Sequence, residues 1–252
     1  MPAWFGVVAV VLLGLLTYEA TRSVDAGVAA AFIMSILPAH LMRSIAGGFD
    51  NECVAISAMC ATFYFWCLSL RGAWSWPIGV VTGISYFCMV ASWGGYIFVL
   101  NMIGVHAALM VSIGRFSGSL HRAYSLFFVI GTLLATTIPV VGKTPLRSLE
   151  QMGPMAVFWW LQLLEACRLY GAMRGMDELH FSKFRKQVFI ACGAVGAIVV
   201  SVLFQLGHFG PISSRVRGLF VQHTRTGNPL VDSVAEHQAT SPKAYWQYMH
   251  YM

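Results

Sequence analysis

Residues 72–114 read GAWSWPIGVVTGISYFCMVASWGGYIFVLNMIGVHAALMVSIG, an unbroken run without Asp, Glu, Lys or Arg. A helix that crosses a bilayer needs about 20 predominantly apolar residues, so this run holds two, at 76–95 and 96–113. Trp93-Gly94-Gly95-Tyr96 supplies the turn between them. Further charge-free runs cover 1–18, 26–42, 53–70, 123–142 and 187–214, and a weaker one at 151–173 is interrupted by Glu165 and Arg168. The pattern predicts an all-α, polytopic transmembrane bundle of about eight spans. They fall near 2–18, 26–42, 53–69, 77–93, 96–113, 123–141, 154–171 and 188–207. Residues 1–207 form the membrane domain in this reading, and 208–252 form a polar segment.

Composition leads to the same class. Of 252 residues, 58% are hydrophobic and 10% charged, and the mean hydropathy is +0.68. Soluble domains carry about 25% charged residues, which excludes soluble, disordered and fibrous chains. Residues 5–16 resemble the apolar core of a signal peptide, but no basic segment precedes them and no small-x-small site follows before Glu19. A membrane span is the better reading. Six cysteines lie in apolar stretches, and Cys53, Cys60 and Cys67 recur every seven residues along one helix face. Without a Cys-x-x-Cys pair they suggest packing, not zinc or a disulfide framework. No internal repeat, phosphate-binding loop or nucleic-acid signature is present.

Lys and Arg set the expected orientation. Loops near 19–25, 69–76, 114–122 and 168–187 hold Arg22, Arg71, Arg115, Arg122, Arg168, Arg174, Lys183, Arg185 and Lys186. The opposite loops hold only Arg43, Lys143 and Arg147. The positive-inside rule assigns the first set to the cytoplasm. The parity of crossings then brings residues 49–52 and the polar segment out on the same, non-cytoplasmic side.

Ten acidic residues remain to be explained. Glu19, Asp25, Asp177 and Glu178 read as solvated loop charge, and Glu165 as the partner of Arg168 one helical turn on. Asp50, Glu52, Glu150 and Glu236 fall on the far side, and Asp232 opens the tail stretch Asp232-Ser233-Val234-Ala235-Glu236-His237-Gln238. Asp50-Asn51-Glu52 has two readings. Its carboxylates are hard oxygen ligands suited to Mg²⁺ or Mn²⁺, and Asp50 also suits the N-cap of the following helix with Glu52 in its first turn. Arg43 reads either as a snorkelling flank of a span or as a cation for phosphate near that pair. Ser233 and Glu236 have capping-box spacing, while Glu236 with His237 also offers acid–base or substrate-orienting groups. Trp74, Trp76, Trp93, Tyr96 and Trp246 suit interfacial belts.

Three blocks carry a resemblance to a known family. Met42-Arg43-Ser44-Ile45-Ala46-Gly47-Gly48-Phe49-Asp50-Asn51-Glu52 resembles the R-S-V-A-G-S-[FY]-D-N-E segment of the catalytic subunit of eukaryotic oligosaccharyltransferase. Ser92-Trp93-Gly94-Gly95-Tyr96 is similar to its S-W-G-G-Y stretch, and Ser233-Val234-Ala235-Glu236-His237-Gln238 to its S-V-S-E-H-Q motif. Order and spacing are similar along essentially the whole chain. Ala235 and Gly48 depart from the pattern at positions that supply no ligand group.

The resemblance implies a glycosyltransferase of the GT-C type in the endoplasmic reticulum membrane. It would move an oligosaccharide from dolichyl diphosphate to the Asn side chain of Asn-x-Ser/Thr in an acceptor polypeptide. Asp50 and Glu52 would bind Mn²⁺ or Mg²⁺, Arg43 would support catalysis near the metal and phosphate, and Glu236 would contact the acceptor asparagine. Accessory subunits of a complex are implied as partners, with both motifs lumenal. The family's first acidic motif and its W-W-D-Y-G motif do not occur here, so the chain is expected to be an internal piece of a longer protein, lacking its soluble C-terminal domain and inactive alone. Another polyprenyl-phosphate-sugar glycosyltransferase is the alternative, and it should lack S-V-[SA]-E after the eighth helix. A transporter core or scaffold subunit is the alternative from another class. Transporters place charge or broken helices at the bilayer midplane, whereas these spans are nearly charge-free.

Overall fold

An apolar chain in an apolar solvent must satisfy its backbone N–H and C=O groups internally, and the helix does this within each segment. The computed structural model describes residues 2–47, 51–208 and 242–250, and every regular element among them is helical. The elements are α1 (Pro2–Thr21), α2 (Val24–Ile36), α3 (Pro38–Ser44), α4 (Asn51–Ser69), α5 (Ile78–Ser92), α6 (Tyr96–Ser112), α7 (Gly118–Thr136) and a short α8 (Thr144–Arg147). A single 3₁₀ turn (Leu149–Gln151), α9 (Met152–Arg174), α10 (Glu178–Gln205) and α11 (Pro242–His250) complete them. The chain divides into two units, Met1–Phe209 and Gly210–Met252, and of the second only α11 is described.

Helices occupy all eight predicted positions, though not all with the expected bounds. The expected span at 26–42 is two helices bent by 64°. Pro38 has no N–H to continue the ladder, and its ring pushes Leu37 to extended backbone at φ −68°, ψ 118°. The predicted end of the sixth span also moves, from 141 to Thr136, three residues before Pro139. Ser117 starts that helix by accepting the Leu120 N–H at 3.1 Å. By length and composition α1, α4 and α10 suffice to cross a membrane, as does the bent α2–α3 pair if taken as one span. α5 and α6 are shorter apolar helices, while α7 and α9 carry charged side chains toward one end.

Small residues set the packing order α2–α1–α4–α5–α7, with α6 and α9 laid alongside. A Cβ on Gly79 of α5 would lie 2.6 Å from the Ala123 carbonyl of α7, and one on Gly83 would lie 3.2 Å from the Gly131 nitrogen. Such backbone approach needs glycine, and in a membrane it replaces the hydrophobic drive that lipid cannot supply. Around this contact lies an aromatic core of Trp66, Tyr86, Tyr124 and Phe127, with ring centroids 5.6–6.0 Å apart. Two of its polar tips are matched. Tyr124 donates to the Pro154 carbonyl at 2.9 Å, and the Trp66 indole donates to His106 Nδ1 at 3.2 Å.

The loops sort into two ends. Ser119 Oγ donates to the Gly72 carbonyl at 3.0 Å, Arg122 lies over the Trp76 ring, and Arg71 reaches Glu19 at 3.8 Å. Thus the α1–α2, α4–α5 and α6–α7 connections meet at one end. Glu19 corrects its reading as solvated charge: its side chain is 6% exposed and chelated by Arg22 at 2.7 and 3.2 Å. The chain reverses through Arg22 at φ 58°, which folds the guanidinium back over α1. Glu165 and Arg168 pair within α9 as expected, at 2.6 and 2.8 Å.

Overpacking the α5–α7 contact with Gly79→Leu should cost about 1–3 kcal/mol. Gly193→Leu, at a site with nothing within 4 Å, should stay within about 0.5 kcal/mol. Equilibrium unfolding by SDS titration in mixed micelles separates the two, and equal losses would refute the close-contact account.

Candidate functional site at the Arg43–Glu52 end

The break at Pro38 decides where Arg43 goes. Because α3 leaves the line of α2, its last turn carries Arg43 toward the start of α4, where Glu52 stands in the first turn. Arg43 Nε meets Glu52 Oε2 at 2.9 Å, with the two side chains 38% and 31% exposed. An ion pair this open contributes only about 0–1 kcal/mol, so its consequence is position, not stability. Glu52 also stands in the first turn of α4, at the positive end of the helix dipole.

Asn51 ties a second block to this pair. Its carboxamide donates to the Ser92 carbonyl at 2.5 Å, joining the start of α4 to the end of α5. Ser92 opens the Ser92–Tyr96 stretch, so two segments far apart in sequence touch directly. Trp93 ends α5 in extended conformation, and its ring covers Gly95 so closely that no side chain would fit there. Tyr96 then begins α6, and its hydroxyl accepts from the buried Gln151 amide at 3.4 Å. One turn on, Asn101 donates to the Glu150 carbonyl at 3.0 Å. The 3₁₀ turn that carries Glu150 is capped by Ser148, whose hydroxyl accepts the Glu150 N–H at 3.3 Å. This end of the fold therefore gathers Arg43, Glu52, Trp93, Tyr96 and the Glu150 turn.

Of the predicted site residues, Arg43 and Glu52 are brought together. Asp50 and Glu236 lie outside the described residues, as do Asp232, Ser233 and His237. Among the described residues no group of three or more His, Cys, Asp and Glu side chains assembles. Glu52 alone of the two predicted metal ligands can be placed, and its carboxylate is an oxygen donor of the right hardness with open solvent access. Residue-by-residue reading missed Asn51, Asn101 and Gln151 as the groups that join the blocks. The signal for them is carboxamides flanking apolar helices, where an unpartnered amide is costly.

The oligosaccharyl transferase STT3 N-terminal family profile matches residues 1–252. Over 243 residues the chain is 32% identical to the dolichyl-diphosphooligosaccharide–protein glycosyltransferase subunit stt3 of Schizosaccharomyces pombe, covering 94% of this chain and 31% of that protein. It is 32% identical to subunit STT3 of Saccharomyces cerevisiae over 244 residues, covering 94% of this chain and 33% of that protein. Against subunit stt-3 of Caenorhabditis elegans the identity is 34% over 244 residues, covering 95% and 32%. The chain thus spans about a third of the length of the curated relatives it matches. With its helical membrane architecture and a family match along its full length, this chain belongs to the STT3 oligosaccharyl transferase family.

Proposed function

We propose that the chain contributes the donor-phosphate side of an oligosaccharyltransferase site. That enzyme transfers a preassembled oligosaccharide from dolichyl diphosphate to the Asn amide of Asn-x-Ser/Thr in proteins entering the endoplasmic reticulum. The relatives' shared description supplies the donor and acceptor classes. The observation that carries the reading is the Arg43–Glu52 pair at 2.9 Å, held at the end where the Asn51–Ser92 contact joins two of the three family-like blocks.

The chemistry suits these groups. The Asn amide nitrogen is a poor nucleophile because its lone pair is delocalised, the same resonance that flattens a peptide bond. Glu236 would accept the amide N–H and help turn the nitrogen out of conjugation. As the new C–N bond forms at the sugar's first carbon, the C–O bond to the diphosphate breaks with its electron pair on the leaving oxygen, and the nitrogen would give up one proton to the Glu236 carboxylate. Arg43, held along its Nε edge by Glu52, would set a planar cation beside that growing charge. Asp50 and Glu52 would hold Mn²⁺ or Mg²⁺, which when bound supplies Lewis-acid stabilisation of the diphosphate. The sidedness we propose is lumenal for the Asp50–Glu52 and Ser233–Gln238 segments. Accessory subunits of an oligosaccharyltransferase complex are the expected protein partners.

In the full-length protein, Asp50→Ala and Glu52→Ala should each lower glycosylation of a fluorescent sequon peptide by about 100-fold or more, roughly 2.7 kcal/mol in the barrier. Membrane insertion should be unchanged by protease protection, and wild-type turnover in both variants would end the metal-site proposal. Glu236→Gln should keep the fold and lose most acceptor turnover; a wild-type rate would reduce Glu236 to a helix cap. Arg43→Lys keeps the charge but loses the planar fork, and a drop of about tenfold is expected. Sidedness has its own measurement. An impermeant maleimide should label Phe49→Cys only from the lumen and Lys183→Cys only from the cytoplasm, and the reverse pattern would invert the topology.

A further inference from the structure

The α9–α10 turn is built differently from the other connections. α9 ends at Gly175 in left-handed conformation (φ 57°, ψ 37°), with the Met176 N–H returning to the Gly171 carbonyl at 3.1 Å. Phe181 packs directly on Gly171, where an added Cβ would stand 2.6 Å from the ring. Tyr170 stacks on Phe184 with centroids 5.0 Å apart and planes 25° off parallel. Two guanidinium groups lie on these rings, Arg174 over Tyr170 at 5.6 Å and Arg185 over Phe181 at 5.7 Å. Lys183 and Lys186 stand exposed one turn apart on the same helix.

These four cations have no carboxylate partner among the described residues. Among the described residues none of Arg174, Lys183, Arg185 and Lys186 forms an ion pair, although Asp177 and Glu178 sit at the same turn. The two acids have a separate account, because they occupy the N-cap and first turn of α10, where the helix dipole favours negative charge. Elsewhere at this end Arg22 and Arg71 meet Glu19 and Arg168 meets Glu165, while Arg122 lies over Trp76. The length of α10 separates this cluster from the apolar part of the helix. Its 28 residues rise about 42 Å, more than a hydrocarbon core of about 30 Å requires. The apolar portion begins at Val188, so the basic turns project into the headgroup layer. Among the described residues none of α10 is fully buried, and away from the contacts of Phe181 and Phe184 with α9 the collar is open to lipid.

We propose that the α9–α10 turn binds the anionic headgroups of acidic phospholipids, with Arg174, Lys183, Arg185 and Lys186 as phosphate and carboxylate ligands and Tyr170, Phe181 and Phe184 as the interfacial wedge. A guanidinium over a ring still has a planar fork of N–H donors to offer phosphate oxygens. Neutral headgroups offer no net charge to this collar, so the discrimination is electrostatic and weakens with salt. The inference rests on the proposed sidedness only for which leaflet supplies the lipid.

The test uses the whole chain in detergent, where sidedness and glycosyl transfer play no part. Native mass spectrometry with equimolar phosphatidylserine and phosphatidylcholine should show about a tenfold preference for retained phosphatidylserine. Combining Arg174→Gln, Lys183→Gln, Arg185→Gln and Lys186→Gln should bring the ratio to about one, while Lys143→Gln with Arg147→Gln at the other end should leave it unchanged. Circular dichroism checks helicity. Should the fourfold variant lose it, Lys183→Gln with Lys186→Gln alone should lower the ratio about threefold. Equal retention of the two lipids by the wild type, or an undiminished preference in the folded variants, overturns the proposal.

Discussion

Backbone approach between α5 and α7 is the contact on which the rest of this fold depends. Lipid is as apolar as the side chains, so helices gain little by hiding Leu from it. They gain instead from dense packing, and glycine allows the densest. Gly79 and Gly83 press on Ala123 and Gly131, which draws Tyr86, Tyr124, Phe127 and Trp66 into one cluster. That cluster fixes α4 against α5, and α4 carries Glu52. Gly14 and Gly27 repeat the device between α1 and α2, where a Cβ on Gly27 would stand 2.9 Å from the Gly14 carbonyl.

The two ends of the bundle use charge differently. At the Glu19 end, ionic groups are sequestered: a nearly buried carboxylate is chelated by one arginine and approached by a second. Breaking such a pair by removing one partner leaves an uncompensated charge, so its role is to hold α1 and the α4–α5 loop in register. At the Arg43 end the pair is open and energetically slight, the condition under which a carboxylate and a guanidinium can still exchange contacts with a ligand. The architecture thus buries one ion pair and leaves the other partly exposed.

How much of this was legible depended on what each residue's neighbours in sequence could reveal. The charge-free runs located the eight long apolar segments, because exclusion of Asp, Glu, Lys and Arg is a one-dimensional signal, but not α8 or α11, which lie outside those runs. Pro38 was visible as a letter, yet the 26–42 run hid the break it makes, since hydropathy does not register backbone geometry. Glu19 misled for a related reason. Its sequence position marks a loop, but Arg71, some fifty residues away, helps to bury it. Arg43 and Glu52 were singled out by pattern, whereas the carboxamides of Asn51, Asn101 and Gln151 drew no notice because their partners at Ser92, Glu150 and Tyr96 lie 41 to 55 positions distant.

The amino-acid sequence alone determined the solvent of this protein, its helical class and the family to which its ordered blocks point. Those follow from composition, period and motif order, none of which requires knowing what touches what. Tertiary structure alone decided that Arg43 meets Glu52, that the Ser92–Tyr96 block lies against the start of α4, and that four cations at the α9–α10 turn have no carboxylate partner among the described residues. Each is a long-range or through-space relation, set by a 64° break at Pro38 and by helices approaching to the limit that glycine permits. Contact between distant residues depends on chain geometry, and geometry enters only once the helices have packed.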